Sequence, residues 1–341
     1  MENELNKKIN IDISKNTIEE IIIEDISNNL QTDLSKNELV DLSNSKIKDS
    51  ITCLCFSGGG IKGLSFIGAL IKMIQEDYLD LDNIDTFCGT SIGSMIAFLL
   101  NIGLTTNEIK EFVLAFNFSK LNGEIDCINF FENYGINNGD RIKLIFTKFI
   151  ERKFEKKDIT FKELYDITKK KLIIVGTNLT EGKEVVFNID TTPDFSVIMA
   201  IRISMSVPVI FTPVKLDGIV YVDGAIVNNF PINHCPEFKT LGFYVKNSKK
   251  SEVNSIQDVV TLCLGIACDN ISEKSIIDIR FLNPTECWNK YKKLIVKIEN
   301  PNFEYTKFDL TYEYKNSLIE LGTKTIEKFI ENLDLNVMNF E

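Results

Sequence analysis

From Ile51 onward, short apolar runs end in glycine clusters and give way to longer stretches with apolar residues every three or four positions. Residues 52–57 read as a buried strand closed by Gly58-Gly59-Gly60, and helical spacing runs from about Lys62 to Tyr78. Residues 83–88 predict a second strand, closed by Gly89, and a helix follows Ser91 until about Gly103. Strand, glycine turn and helix, twice over, are the units of an α/β protein built on a parallel sheet.

The spacing beyond these units predicts amphipathic helices over 107–118 and 140–154 and buried strands over 171–177 and 184–188. It then predicts a helix over 195–205 ending before Pro208, and a hairpin of 214–216 with 219–223 around Asp217-Gly218. A strand over 241–245, a helix near 256–268, a strand near 292–298 and a final helix from about 311 to 333 complete the pattern. Residues 1–50 stand apart. They hold no aromatic residue, Gly or Pro, so they are expected to form a polar, flexible extension. Ile18, Ile22 and Ile26 have the spacing of one short docking helix. The expected organisation is this extension, a catalytic domain over 51–247 and a C-terminal extension over 248–341 packing on the same domain.

Charge narrows the partners. A formal net charge of −11 argues against nucleic acid and against purely electrostatic docking on anionic lipid, so any membrane contact should be apolar and local. The polar, acidic start is unlike a signal peptide, and no apolar run approaches a membrane span, which together predict an intracellular protein. The eight cysteines have no metal-site spacing, and with a single histidine the expectation is buried free thiols and no metal.

Two glycine-rich segments carry candidate chemistry. Gly58-Gly59-Gly60-Ile61-Lys62-Gly63 follows the first strand and offers backbone N–H groups as an anion site. The same letters satisfy a dinucleotide fingerprint, with Asp80 and Asp82 as the acidic partners about 20 residues on. Gly89-Thr90-Ser91-Ile92-Gly93 is a nucleophile-elbow pattern between a strand and a helix, the context in which a serine hydroxyl stands exposed. Both turns close adjacent strands, so both are expected at one edge of the sheet. His234 is the only histidine and lies just eleven residues after Asp223, close for a separate acid and base. Asp223 itself ends a strand before Gly224-Ala225, facing the same opening, although Asp-Gly pairs also occur in plain turns. Asp80, Asp82 and Asp85 lack the glycine and terminal Glu of a calcium loop.

Taken in order, these three segments resemble the patatin-like phospholipase family over roughly residues 52–247. Residues 200–208 and Asn228-Asn229-Phe230-Pro231 look like the family's segments on either side of the aspartate. The resemblance implies a three-layer α/β/α sandwich with a mainly parallel central sheet. It also implies a lipid acyl hydrolase of the phospholipase A or lysophospholipase type, with Ser91 as nucleophile and Asp223 as proton acceptor. Gly58, Gly59, Gly60 and Ile61 would form the oxyanion hole. Lys62, Gly63, Gly89, Gly93, Gly224 and Ala225 complete the motifs. No cofactor is implied, calcium included, and the substrate is membrane or micellar lipid. Phe112, Phe116, Phe118, Phe130 and Phe131 crowd the segment after the elbow helix as core or as an acyl channel. The alternatives are a soluble carboxylesterase for small esters, a catalytically idle lipid- or protein-binding module, and a nucleotide-dependent oxidoreductase using the glycine loop.

Overall fold

A computed structural model describes residues 47–116, 131–236, 239–246, 253, 256–282, 294–299 and 310–338. The expectations for residues 1–46, Phe118 and Phe130 lie outside these. An eight-stranded sheet runs in the order β10-β9-β1-β2-β4-β8-β7, with β5 also pairing β4. Its strands are β1 (Cys53–Phe56), β2 (Thr86–Thr90), β4 (Lys171–Asn178), β5 (Lys183–Phe187), β7 (Val214–Leu216), β8 (Ile219–Asp223), β9 (Thr240–Lys246) and β10 (Ile295–Glu299). The run from β10 to β4 is parallel, and β5, β8 and β7 are antiparallel additions. β3 (Gly135–Asn137) and β6 (Val209–Phe211) form a separate parallel pair.

Strand periodicity sorts the core into two faces. Leu54, Phe56, Phe87, Ile174 and Phe243 point into the larger apolar cluster. Cys53, Cys55, Cys88, Ile173 and Tyr244 point into a smaller one with Phe230 and Ile232. Helices flank the sheet: α1 (Leu64–Gln75), α2 (Ile92–Asn101), α3 (Thr106–Ala115), α4 (Asp140–Phe154), α5 (Phe161–Thr168), α6 (Val197–Ser204), α7 (Ile256–Leu282) and α8 (Tyr312–Met338). Every residue of α2 is buried, which suits the helix behind an elbow and explains its unbroken apolar run. Thr105 and Thr160 start α3 and α5 with capping boxes to Glu108 and Glu163.

α8 crosses α1 at contact distance. A Cβ on Gly322 would stand 1.8 Å from the Ser65 carbonyl oxygen, and one on Gly68 equally close to that of Ile319. Only hydrogen fits on either side, so the two backbones touch.

Three expectations shift. The second strand begins at Thr86 because Asp80 caps a 3-10 turn, Leu81–Asn83, by accepting from the Asp82 N–H. That role, together with the Lys48 ammonium beside Asp77 and Asp80, accounts for acidic residues that also fit a dinucleotide motif. Phe131 is 78% exposed and is no part of the core. α5 and the β3–β6 pair had no counterpart in the apolar pattern. The 217–218 hairpin has positive φ at both central residues, 49° and 79°, as a type I′ turn requires. Among the described residues no helix is long and apolar enough to cross a membrane.

Candidate active site

Ser91 is the residue between β2 and α2, with φ 55° and ψ −125°. A serine at a helix start normally turns its hydroxyl onto the first-turn N–H groups. Here no such side-chain cap forms. The hydroxyl instead donates to Asp223 Oδ2 at 2.7 Å. The unusual backbone is held from both sides. The Ser91 N–H donates to Ser204 Oγ at 2.9 Å, and the Ser204 hydroxyl donates to the Val175 carbonyl at 2.6 Å. Gly89 and Gly93 interlock behind it: a Cβ on Gly89 would meet the Gly93 carbonyl at 2.3 Å, and one on Gly93 the Phe56 carbonyl at 2.4 Å.

Asp223 reaches Ser91 through sheet register. β5 occupies one flank of β4, pairing residues from Ile174 to Asn178. β2 and β8 share the other flank, with Thr90 opposite Val175 and Asp223 opposite Gly176. The two strands therefore run head to head along β4, and their last residues meet. Gly224 permits the junction, since a Cβ there would strike the Val175 carbonyl at 2.3 Å. The Asp223 carbonyl accepts from Thr177 Oγ1 at 2.8 Å, its N–H donates to the Ser206 carbonyl, and its Oδ1 accepts from the Ala225 N–H at 2.9 Å. Burial drives the Asp223 carboxyl up to about 7, against the pull of the Ala225 N–H and the Ser91 hydroxyl. A carboxylate in that range can exchange a proton with a bound hydroxyl near neutral pH.

The glycine loop stands against the same serine. Gly58 has no room for a side chain: a Cβ would lie 2.3 Å from Asn229 Oδ1 and 3.4 Å from Ser91 Cβ. Its N–H, expected as an oxyanion donor, donates to the Asn229 carbonyl at 2.9 Å. Gly58 is thus a close-approach residue, and the expected donor set shrinks to Gly59, Gly60 and Ile61. Gly60 carries φ 54°, which turns the loop into the 3-10 turn Gly60–Gly63. Gly63 lets that turn pack on Ile92, whose Cγ2 lies 2.5 Å from where a Cβ would be. Lys62 is buried, and burial lowers its ammonium to about 8 against the opposing pull of Asp269 and Cys268 on α7. α7 also bonds the segment that packs against Gly58, through Ser272 Oγ, which accepts from Asn229 Nδ2 at 2.9 Å.

His234 is bonded elsewhere. Its Nε2 lies 2.8 Å from Glu184 Oε1, and the same carboxylate accepts from Asn228 Nδ2 at 2.7 Å. Among the described residues one group of thiols approaches the geometry of a metal site, and no sequence spacing suggests it. Cys55, Cys88 and Cys235 place their thiols within 4.8 Å of one another, buried among Phe230 and Ile232. Sequence reasoning missed Ser204, Ser206, Thr177 and Asn229 as supports. No local pattern announces them: Ser204 ends a helical run that Arg202 already interrupts, and Ser206 follows it.

Residues 54–235 match the patatin-like phospholipase family. An uncharacterised protein of Acanthamoeba polyphaga mimivirus is 30% identical over 305 residues, covering 86% of this chain and 96% of that protein. A probable lipid hydrolase of Invertebrate iridescent virus 6 is 34% identical over 205 residues, covering 58% of this chain and 67% of the other. Among solved structures, VipD of Legionella pneumophila has the same fold, with a TM-score of 0.57 and 16% identity over 83% of this chain and 67% of its own. The head-to-head serine and aspartate thus lie in a chain that belongs to the patatin-like phospholipase family.

Proposed function

We propose that this protein hydrolyses fatty-acyl esters of lipids through a Ser91–Asp223 dyad and an acyl-enzyme. The observation that carries the reading is the 2.7 Å hydrogen bond from Ser91 Oγ to Asp223 Oδ2, made by a serine that forgoes its helix cap. Ser91 Oγ attacks the ester carbonyl carbon while Asp223 Oδ2 takes the hydroxyl proton. The N–H groups of Gly59, Gly60 and Ile61 hold the oxyanion of the tetrahedral intermediate. As the intermediate collapses, the alcohol leaves with the proton from Asp223. A water then repeats the sequence on the acyl-enzyme and releases the fatty acid. Every proton in the cycle has a carrier in the chain, so the reading calls for neither calcium nor a second base.

The test is mass spectrometry of products from mixed lipid vesicles, run with a calcium chelator in every arm. Ser91→Ala and Asp223→Asn should each lower product formation by a factor on the order of 10⁴. His234→Gln should keep most of it. Equal losses in His234→Gln and Asp223→Asn would replace the dyad with a triad, and a requirement for calcium would break the proposed cycle.

A further inference from the structure

Sequence spacing predicts buried free thiols without a metal, yet the fold gathers three of them at one point. Cys55 and Cys88 are register partners on the parallel strands β1 and β2 and point to the same face of the sheet. Cys235, just after the 3-10 turn Ile232–His234, packs into the same cluster. The three Sγ atoms lie within 4.8 Å of one another, and all three residues are buried. Cys88 and Cys235 share a single acceptor, the Pro231 carbonyl, at 3.6 and 3.8 Å, and a thiol is a weak donor. Around them stand Ile173, Phe230, Ile232 and Tyr244. Cysteine packs well as a small hydrophobe, but alanine or valine would fill such a core as readily. Convergence of three sulfurs from three separate segments is a property that packing does not require.

We propose that Cys55, Cys88 and Cys235 bind a soft monovalent metal ion of the copper(I) class through their three sulfurs. Thiolate sulfur is the donor such ions prefer. With metal–sulfur bonds of about 2.3 Å, the sulfurs of a trigonal site stand about 4 Å apart, so the triad needs to close by less than about 1 Å. Zinc fits less well, because a closed zinc site takes four ligands. Cys53, the remaining sulfur of this cluster, falls outside the group of mutual approach, and His234 is bonded to Glu184. Protons displaced from the ligating thiols pass to the buffer. A third sulfur that ligates as a thiol holds the buried charge at one negative, which limits the desolvation cost. Each ligand roots a different part of the candidate active site. Cys55 lies three residues before Gly58, and Cys88 three before Ser91. Cys235 ends the segment whose Asn229 carbonyl receives the Gly58 N–H. A bound ion therefore ties the strands that lead into the glycine loop and the elbow to the chain that follows Asp223, and stays outside the ester chemistry.

The test titrates the reduced full chain with copper(I), without oxygen, against a chromophoric copper(I) chelator. Cys127→Ser, Cys263→Ser and Cys287→Ser form the background, which lessens competition from other thiols. This protein should retain one copper per chain, and X-ray absorption should find three sulfur neighbours at about 2.3 Å. Cys88→Ala and Cys235→Ala should each weaken binding more than about a hundredfold, beyond what losing an outer partner of a metal ligand costs. Cys53→Ala, which removes a buried thiol of the same cluster outside the triad, should leave the affinity unchanged. Circular dichroism checks the folding of each variant, and the absorption spectrum of the background protein decides the matter even where a variant unfolds. Failure to retain copper against the chelator overturns the site, as does an affinity that survives both triad substitutions. Nitrogen or oxygen neighbours in place of the third sulfur overturn it too, and so does zinc held more tightly than copper in the same competition. None of these outcomes touches the hydrolase reading, which does not use the site.

Discussion

In the proposed cycle Asp223 must be ionised to take a proton from Ser91, yet burial pushes its carboxyl up to about 7. kcat/KM should therefore climb with unit slope through about pH 7 and level off above it. An aspartate at its ordinary value would have finished titrating near pH 5, so a flat profile between about pH 5 and 8 would refute the assignment. The same shift bears on stability. A carboxyl whose folded value is raised contributes stability below its ordinary value and loses it as pH rises through about 7. Asp223→Asn keeps the shape and removes the charge. It should be more stable than wild type by a few kcal/mol at about pH 8, with the gain gone near pH 4, measured by urea unfolding at both. Ser91 and Asp223 are legible in the sequence because Gly89 and Gly93 bracket the one and Gly224 follows the other, and the glycines mark where backbones crowd. Ser204 and Thr177 hold the pair in place, and Asn229 holds Gly58 beside it, each through a single hydrogen bond that no local pattern announces.

Among the elements, those with four or more buried positions at a regular period are legible, β1, β4 and α2 being examples. The β3–β6 pair is not. Each strand has three residues, and the pairing brings Gly135 opposite Val209, 74 positions away in a chain that shows no sign of it locally. Arg202 helps seat this region: its guanidinium donates to the carbonyls of Asn138 and Thr212 at 2.9 and 2.8 Å, from a buried position that lowers its pKa to about 10. The α1–α8 crossing was equally hidden, because a helix glycine reads only as a weak spot. Helix propensity alone predicts that Gly322→Ala gains about 1 kcal/mol. The contact with the Ser65 carbonyl reverses the sign, and the substitution should cost about 2–3 kcal/mol by urea denaturation.

For the whole molecule, the net charge of −11 sets the encounter with lipid. Anionic vesicles repel the chain at low salt, so their hydrolysis should rise severalfold as ionic strength goes from about 10 to about 150 mM and the Debye length shrinks from about 30 to about 8 Å. Zwitterionic vesicles of the same acyl composition should show little change. Equal salt dependence on both would mean that the long-range field does not govern access.

β2 and β8 end against consecutive residues of β4, Val175 and Gly176. Thr90, the residue before the serine, and Asp223 are therefore one step apart along a single strand, whatever lies in the long excursion that joins them. A one-residue slip of β8 would carry the aspartate about 3.4 Å along β4 and turn its side chain to the opposite face. Such a chain would keep its secondary structure and would lose the contact between Ser91 and Asp223 outright. Turnover per folded molecule then serves as a proofreading signal for strand pairing, one that circular dichroism cannot supply.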